Sequence, residues 1–158
     1  MHSRIFQVSE KPVEDYIDED RYFDNFVGEL ADYVSKIPFK SKDYYNDLDW
    51  IIEATKGIEV DKKKGTIKIV DKKEYFEKKH EDFLTILEEL KDVPLEDFIN
   101  NRHFRWKVDD LESTFEDKHS FYIDDNDEYG GLMPLDTWVR EAEEGKEYFI
   151  GSILDYHF

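Results

Sequence analysis

Ile58 to Leu90 reads IEVDKKKGTIKIVDKKEYFEKKHEDFLTILEEL, and its two parts follow different periods. Ile58-Glu59-Val60 and Thr66-Ile67-Lys68-Ile69-Val70 are β-branched runs on either side of Asp61-Lys62-Lys63-Lys64-Gly65, which predicts a hairpin closed by a glycine-bearing turn. From about Lys72, Phe76, Phe83, Leu84, Leu87 and Leu90 recur at helical spacing, and Pro94 stands just past the end as a terminator. His80 falls on that apolar face and reads as a hydrogen-bonded histidine at the edge of a core. A hairpin running straight into a long helix belongs to an α+β chain, because a parallel sheet needs strand and helix in regular alternation.

Upstream, Arg4 to Ser9 mixes β-branched and aromatic residues as a short first strand, limited by Pro12. Between Asp20 and Ile37, Phe23, Phe26, Val27, Leu30, Val34 and Ile37 are spaced for one face of a helix that Pro38 ends. Ser41 caps a second helix through Ala54, with Tyr44, Tyr45, Leu48, Ile51 and Ile52 as its stripe and Asp43, Asp47 and Glu53 toward solvent.

Downstream, Leu95 to Asn101 and Asp109 to Phe115 suggest short helical turns, and the run from Asn101 to Lys107 shows no settled period. His119 to Ile123 reads as a strand leading into the acidic turn Asp124 to Glu128. Pro134 opens a helix through Glu144, and Tyr148 to Leu154 is a largely buried strand. With no linker or internal repeat, residues 1–158 make a single compact acidic α+β domain: a small antiparallel or mixed sheet of four to five strands packed against four to five helices.

The composition supports a folded chain, since 12 Phe, 10 Tyr and 3 Trp supply large apolar surfaces that disordered chains lack. Charge is unevenly divided. Residues 1–79 carry 18 acidic and 15 basic side chains, a net of −3, whereas residues 80–158 carry 22 and 7, a net of −15. Such a field repels phosphate, so no direct nucleic-acid binding and no anionic membrane partner are expected, and a basic protein surface is the favoured partner. Self-association, basic edge to acidic face, is a second use of the same distribution.

The absence of cysteine rules out disulfides and thiolate chemistry. Met1 to Glu14 lacks the basic start and apolar run of a signal peptide, and no stretch is apolar enough to cross a bilayer. A cytoplasmic protein is the expectation.

The densest acidic residues, Glu88, Glu89, Asp92, Glu96, Asp97, Asp109, Asp110, Glu112, Glu116 and Asp117, form a candidate interaction face, with Trp106, Phe115 and Trp138 as aromatic anchors. The bland alternative is a surface made acidic for solubility over aromatics in the core. An alternative polar cleft draws on Arg102 to Lys107, where His103, Arg105 and Lys107 share a face if the segment is extended, joined by His119.

No cofactor is expected. Asp124, Asn126 and Glu128 alternate as the first ligands of a calcium loop do, with Asp136 available to complete a Ca²⁺ or Mg²⁺ site. The loop then departs from that pattern at Tyr129, where glycine is required, and at Leu135, where a glutamate is. A solvated acidic turn accounts for the same residues. No motif identifies a reaction. The leading expectation is therefore a non-enzymatic inhibitor or immunity-type protein that masks a basic surface of a partner, including by nucleic-acid mimicry. A small enzyme or ligand-binding domain, and a structural or regulatory subunit, are the alternatives.

Overall fold

The computed structural model describes residues 1–24, 26–100, 102–125 and 131–158. The elements are β1 (His2–Ser9), a 3-10 turn (Glu19–Tyr22), β2 (Tyr33–Lys36), α1 (Lys42–Ala54), β3 (Ile58–Asp61), β4 (Thr66–Ile69), α2 (Lys72–Lys91), α3 (Leu95–Asn100), α4 (Arg102–Phe115), β5 (Tyr122–Asp124), β6 (Leu132–Pro134), α5 (Leu135–Glu141) and β7 (Glu147–His157). The strands form one mixed sheet in the order β3-β4-β7-β1-β5-β6, with β2 also paired to β7. All pairings are antiparallel except β1 with β5. The α+β expectation holds, with more strands than the sequence suggested because β2 and β6 are short edge pieces without strong alternation.

β7 is the centre. Along one edge it pairs with β1, from His157 opposite His2 to Phe149 opposite Ser9; along the other its first residues pair with β4 and its last with β2. Phe6 faces Ile153 and Val8 faces Ile150, so Gln7 spans the two residues Gly151 and Ser152 in a bulge. The Gln7 side chain occupies that bulge: Oε1 accepts from Ser152 N at 3.0 Å and Ile17 N at 3.3 Å, and Nε2 donates to Asp15 O at 2.7 Å.

Alternation along β1, β5 and β7 sends side chains to two cores. Phe6, Val8, Ile123, Ile150 and Ile153 meet Leu48 and Ile51 of α1 and Leu135 and Val139 of α5. Ile5, Tyr122, Leu154 and Tyr156 meet Ile17, Tyr22, Phe26 and Ala31. Each large aliphatic side chain so enclosed contributes about 1.5–3 kcal/mol.

Ser41 caps α1 as its position predicted, its Oγ accepting from Tyr44 N at 3.1 Å. The 58–70 hairpin also forms where expected; Asp61 Oδ1 accepts from Lys63 N at 2.9 Å and Lys64 N at 3.0 Å, which holds the lysine-rich turn.

Two expectations are corrected. The helix over Asp20 to Ile37 does not form. Gly28 takes φ 91°, a left-handed value that reverses the chain, and β2 follows. Phe26 is buried nonetheless, edge-on to Tyr122 and Tyr156 at 5.2 Å each. Asp47 does not face solvent: it is buried, with Oδ1 2.9 Å from Arg4 Nε. Its desolvation holds the carboxyl above its ordinary value despite the guanidinium. Among the described residues, no helix is long and apolar enough to cross a membrane.

Candidate functional site

Only the base of the segment from α2 to α4 touches a core, where Tyr75 and Phe76 pack in part against it; no residue of α2, α3 or α4 is fully enclosed. Asp71 caps α2 through Oδ1 to Glu74 N at 3.0 Å. α2 then runs outward, α3 turns at the tip, where Phe98 meets Phe104 edge-on at 5.0 Å, and α4 returns. Where the sequence showed no period, residues 102–107 are the first turns of α4; Arg102, Arg105 and Lys107 interrupt the apolar spacing without weakening helix propensity.

α5 is the platform that holds the arm's base. Asp136, buried in its first turn, accepts from Tyr75 Oη at 2.8 Å, Lys79 Nζ at 3.0 Å and Asp117 N at 3.3 Å. Burial, and then the Asp136 carboxylate, pushes the Tyr75 hydroxyl well above its ordinary range, so it remains a donor. The Arg140 guanidinium lies over the Phe76 ring at 4.7 Å and the Phe115 ring at 4.2 Å. Lys72 Nζ donates to Arg140 O at 2.8 Å. Farther out, Lys107 of α4 pairs with Glu89 of α2 at 2.6 Å.

The predicted acidic face falls into two groups. Glu88 and Glu89 lie late in α2, Asp92 at its C-cap, Glu96 and Asp97 in the first turn of α3, and Asp109, Asp110 and Glu112 on α4. Glu116 and Asp117 sit instead at the joint, where Glu116 accepts from Thr137 Oγ1 and Asp117 Oδ1 accepts from His119 N.

The aromatic anchors divide as well. Trp106 and Phe115 are exposed on α4, but Trp138 is a core residue, 3% exposed and edge-on to Tyr148 at 5.3 Å. His80 is exposed on the arm instead of lying at a core edge.

The polar cleft at Arg102 to Lys107 is not assembled. On a helix, residues two apart point about 200° away from each other, so His103, Arg105 and Lys107 do not share a face. His103 meets Trp106 edge-on at 4.9 Å, Lys107 is committed to Glu89, and His119 stacks on Phe158 at 4.3 Å.

For the metal turn, Asn126 and Glu128 lie outside the described residues. Asp124 is fully enclosed and accepts from Arg21 Nε at 2.9 Å and Tyr22 Oη at 2.7 Å, while Asp136 serves the arm's base. Among the described residues, no group of three carboxylates or imidazoles gathers to hold a metal ion.

One concavity escaped the sequence reading. A cleft of about 750 Å³ is lined by Tyr16, Phe39, Tyr44 and Tyr45, with Lys40 and Lys63 beside them. Its rings form a ladder, Tyr16 to Phe39 at 4.8 Å, Phe39 to Tyr44 at 5.2 Å and Tyr44 to Tyr45 at 5.7 Å. Burial pushes the Tyr44 hydroxyl up, so it stays protonated and donates to Gly151 O at 3.1 Å. The signal available beforehand was the recurrence of aromatics at 16, 39, 44 and 45; Phe39 stands just before the Ser41 cap, but only the fold brings Tyr16 to it. Compared with protein-family models, with curated proteins and with solved structures, the chain matches none of them.

Proposed function

We propose that this chain is an interaction protein, not an enzyme, which docks through its helical arm on a basic surface of another protein, as an inhibitor or immunity-type protein does. The observation that carries this reading is a helical segment, α2 to α4, of which no described residue is fully enclosed, anchored at its base through Tyr75 and Phe76 and presenting large apolar residues to solvent. Residues 80–115 carry 10 acidic and 4 basic side chains, which favours a cationic partner and a fast, salt-sensitive encounter. A nucleic-acid mimic asks more, one elongated stripe of carboxylates. Asp109 and Asp110 open about 100° apart on α4, and Lys107 offsets Glu89, so the general docking reading is the better supported.

The test is affinity capture at low and high salt with the native chain and with Glu96→Lys/Asp97→Lys/Asp109→Lys/Asp110→Lys. These positions make no ion pair among the described residues, so reversal leaves the arm's own contacts in place. A basic protein retained at low salt, released at high salt and lost by the variant is expected. Equal retention by the variant sinks the proposal.

The aromatic cleft favours a second reading, a domain that binds a planar anionic ligand between ring faces and lysines. Lys62 and Lys64 are engaged by Asp49 and Glu147, and Lys40 lies over the Phe39 ring at 5.1 Å, so Lys63 and the ring-held Lys40 are the cations that face a ligand. A thermal shift with planar aromatic anions that Tyr45→Ala and Lys63→Glu abolish is the outcome this reading requires; no shift removes it.

A further inference from the structure

The two broad sides of the arm are unlike, and helical phase says how. Phe76 of α2 and Phe115 of α4 mark one side, because both rings meet the Arg140 guanidinium. Each residue advances about 100° around a helix, so Leu87 lies about 20° and Leu84 about 80° around α2 from Phe76, and Val108 lies about 20° around α4 from Phe115. Glu89, which bridges to Lys107, is about 140° from Phe76 in the other direction. One side is thus tied by an ion pair. The other gathers apolar side chains that the domain leaves open: Leu84 is 50%, Leu87 45%, Val108 41% and Phe115 61% exposed.

The borders of this apolar side are mainly acidic. On α2, Glu81 and Glu88 flank Leu84 at three residues before and four after, with Glu77 a turn earlier; on α4, Asp109 and Glu112 follow Val108. Of these five, only Glu88 makes an ion pair among the described residues, with Lys91 at 3.2 Å. Lys73 and Lys91 lie about 60° around α2 from Phe76, within the arc but at the two ends of the helix, His80 lies about 40° around, and Arg105 lies about 80° around α4 from Phe115. The shallow groove between two antiparallel helices is the seat a third helix takes when ridges pack into grooves. α4 has 14 residues, which makes the groove about 21 Å long, four turns of a partner helix.

We infer that this side of α2 and α4 binds a cationic amphipathic α-helix of another protein, whose apolar stripe covers Leu84, Leu87, Val108 and Phe115 and whose Lys or Arg side chains meet the bordering carboxylates. The inference rests on the docking function proposed above and names the partner's chemistry. Charge selects this occupant. A second copy brings the same carboxylates and a net charge of −18 against its like, and an anionic lipid surface is repelled by the same borders.

The test uses the full chain and a labelled 14-residue Leu/Lys peptide with leucines at helical spacing, read by anisotropy and by gain of helical circular dichroism. A peptide of the same composition in scrambled order is the control. The helical-phase peptide is expected to bind at least about tenfold more tightly than the scrambled one, a difference of about 1.4 kcal/mol. Leu84→Ser/Leu87→Ser on α2, and separately Val108→Ser on α4, are each expected to remove most of that preference with the folded spectrum retained. Glu81→Lys/Glu88→Lys is expected to weaken the Leu/Lys peptide and favour a Leu/Glu analogue.

Equal binding of phased and scrambled peptides, lost only on charge reversal, overturns the helix seat while leaving acidic docking standing. No binding of either peptide, together with no salt-sensitive capture, removes both. A dimer of the native chain that Leu84→Ser/Leu87→Ser dissolves makes the occupant a second copy and overturns the inference.

Discussion

Tyr75 of α2 donates its hydroxyl proton to Oδ1 of Asp136 on α5 at 2.8 Å, and the arm is joined to the body there. Tyr75→Phe removes one of three donors to an enclosed carboxylate and is expected to cost about 1.5–3 kcal/mol in urea unfolding. Amide exchange in α2 and α4 should quicken while β7 stays protected. Asp136→Ala, which leaves Lys79 without its partner, should cost about 3–5 kcal/mol. Uniform loosening of arm and sheet in Tyr75→Phe contradicts the joint.

Gly151 lies against Gln7, where an added Cβ would stand 2.3 Å from Oε1. Gly151→Ala must therefore displace the side chain that links β7 to the 15–17 segment, and a loss of about 2–4 kcal/mol is expected. Gln7→Ala removes the obstacle as well as the bonds. The double variant should accordingly lose less than the sum of the two singles, and a double-mutant cycle showing simple additivity would count against this geometry.

Asp47 and Asp61 titrate in opposite senses. Burial holds Asp47 above its ordinary 3.8, so the unfolded chain releases this proton first and stability falls as pH rises through the interval from 3.8 to the folded value. At Asp61 the Lys64 and Lys63 backbone N–H groups hold the carboxyl below 3.8; its contribution is present above 3.8 and lost as pH falls through the folded value. Asp47→Asn should remove the first slope and Asp61→Asn the second. Melting temperature followed across the acid range checks both, and unchanged profiles refute them.

Apolar residues on the arm and in the sheet should respond differently to truncation. Ile153→Ala leaves a cavity at a fully enclosed position and is expected to cost about 2–5 kcal/mol. Leu87→Ala, at a half-open position on α2, should cost under about 1.5 kcal/mol. Equal costs in denaturant unfolding would mean that the arm's open side is covered in solution.

The contrast explains what was legible in the sequence. The hairpin at 58–70, the Ser41 cap and the helix from Lys72 each rest on neighbours in the chain, and each formed. The interval from Asp20 to Ile37 misled because Phe26, Val34 and Ile37 have helical spacing by coincidence, while contacts with β1, β5 and β7 decide its path. The α2 stripe exposes a deeper limit: Leu84 and Leu87 read identically whether a sheet of the same chain covers them or another molecule does. Trp106 and Trp138 likewise carry no local mark that one is open and the other enclosed.

The central position of β7 also bears on how the chain is made. Its partners β1, β2 and β4 all precede it in synthesis, by as much as the separation of His2 from His157. During translation these strands leave the ribosome with the edges that β7 will occupy still unpaired, a state open to mispairing and to chaperone capture. The contacts between α2 and α4 are close in sequence, and the base they share with α5, through Asp136 and Arg140, is also made before β7. A nascent chain halted before Glu147 would thus carry a finished arm on an unfinished body, so arm-dependent binding could begin before the sheet has closed.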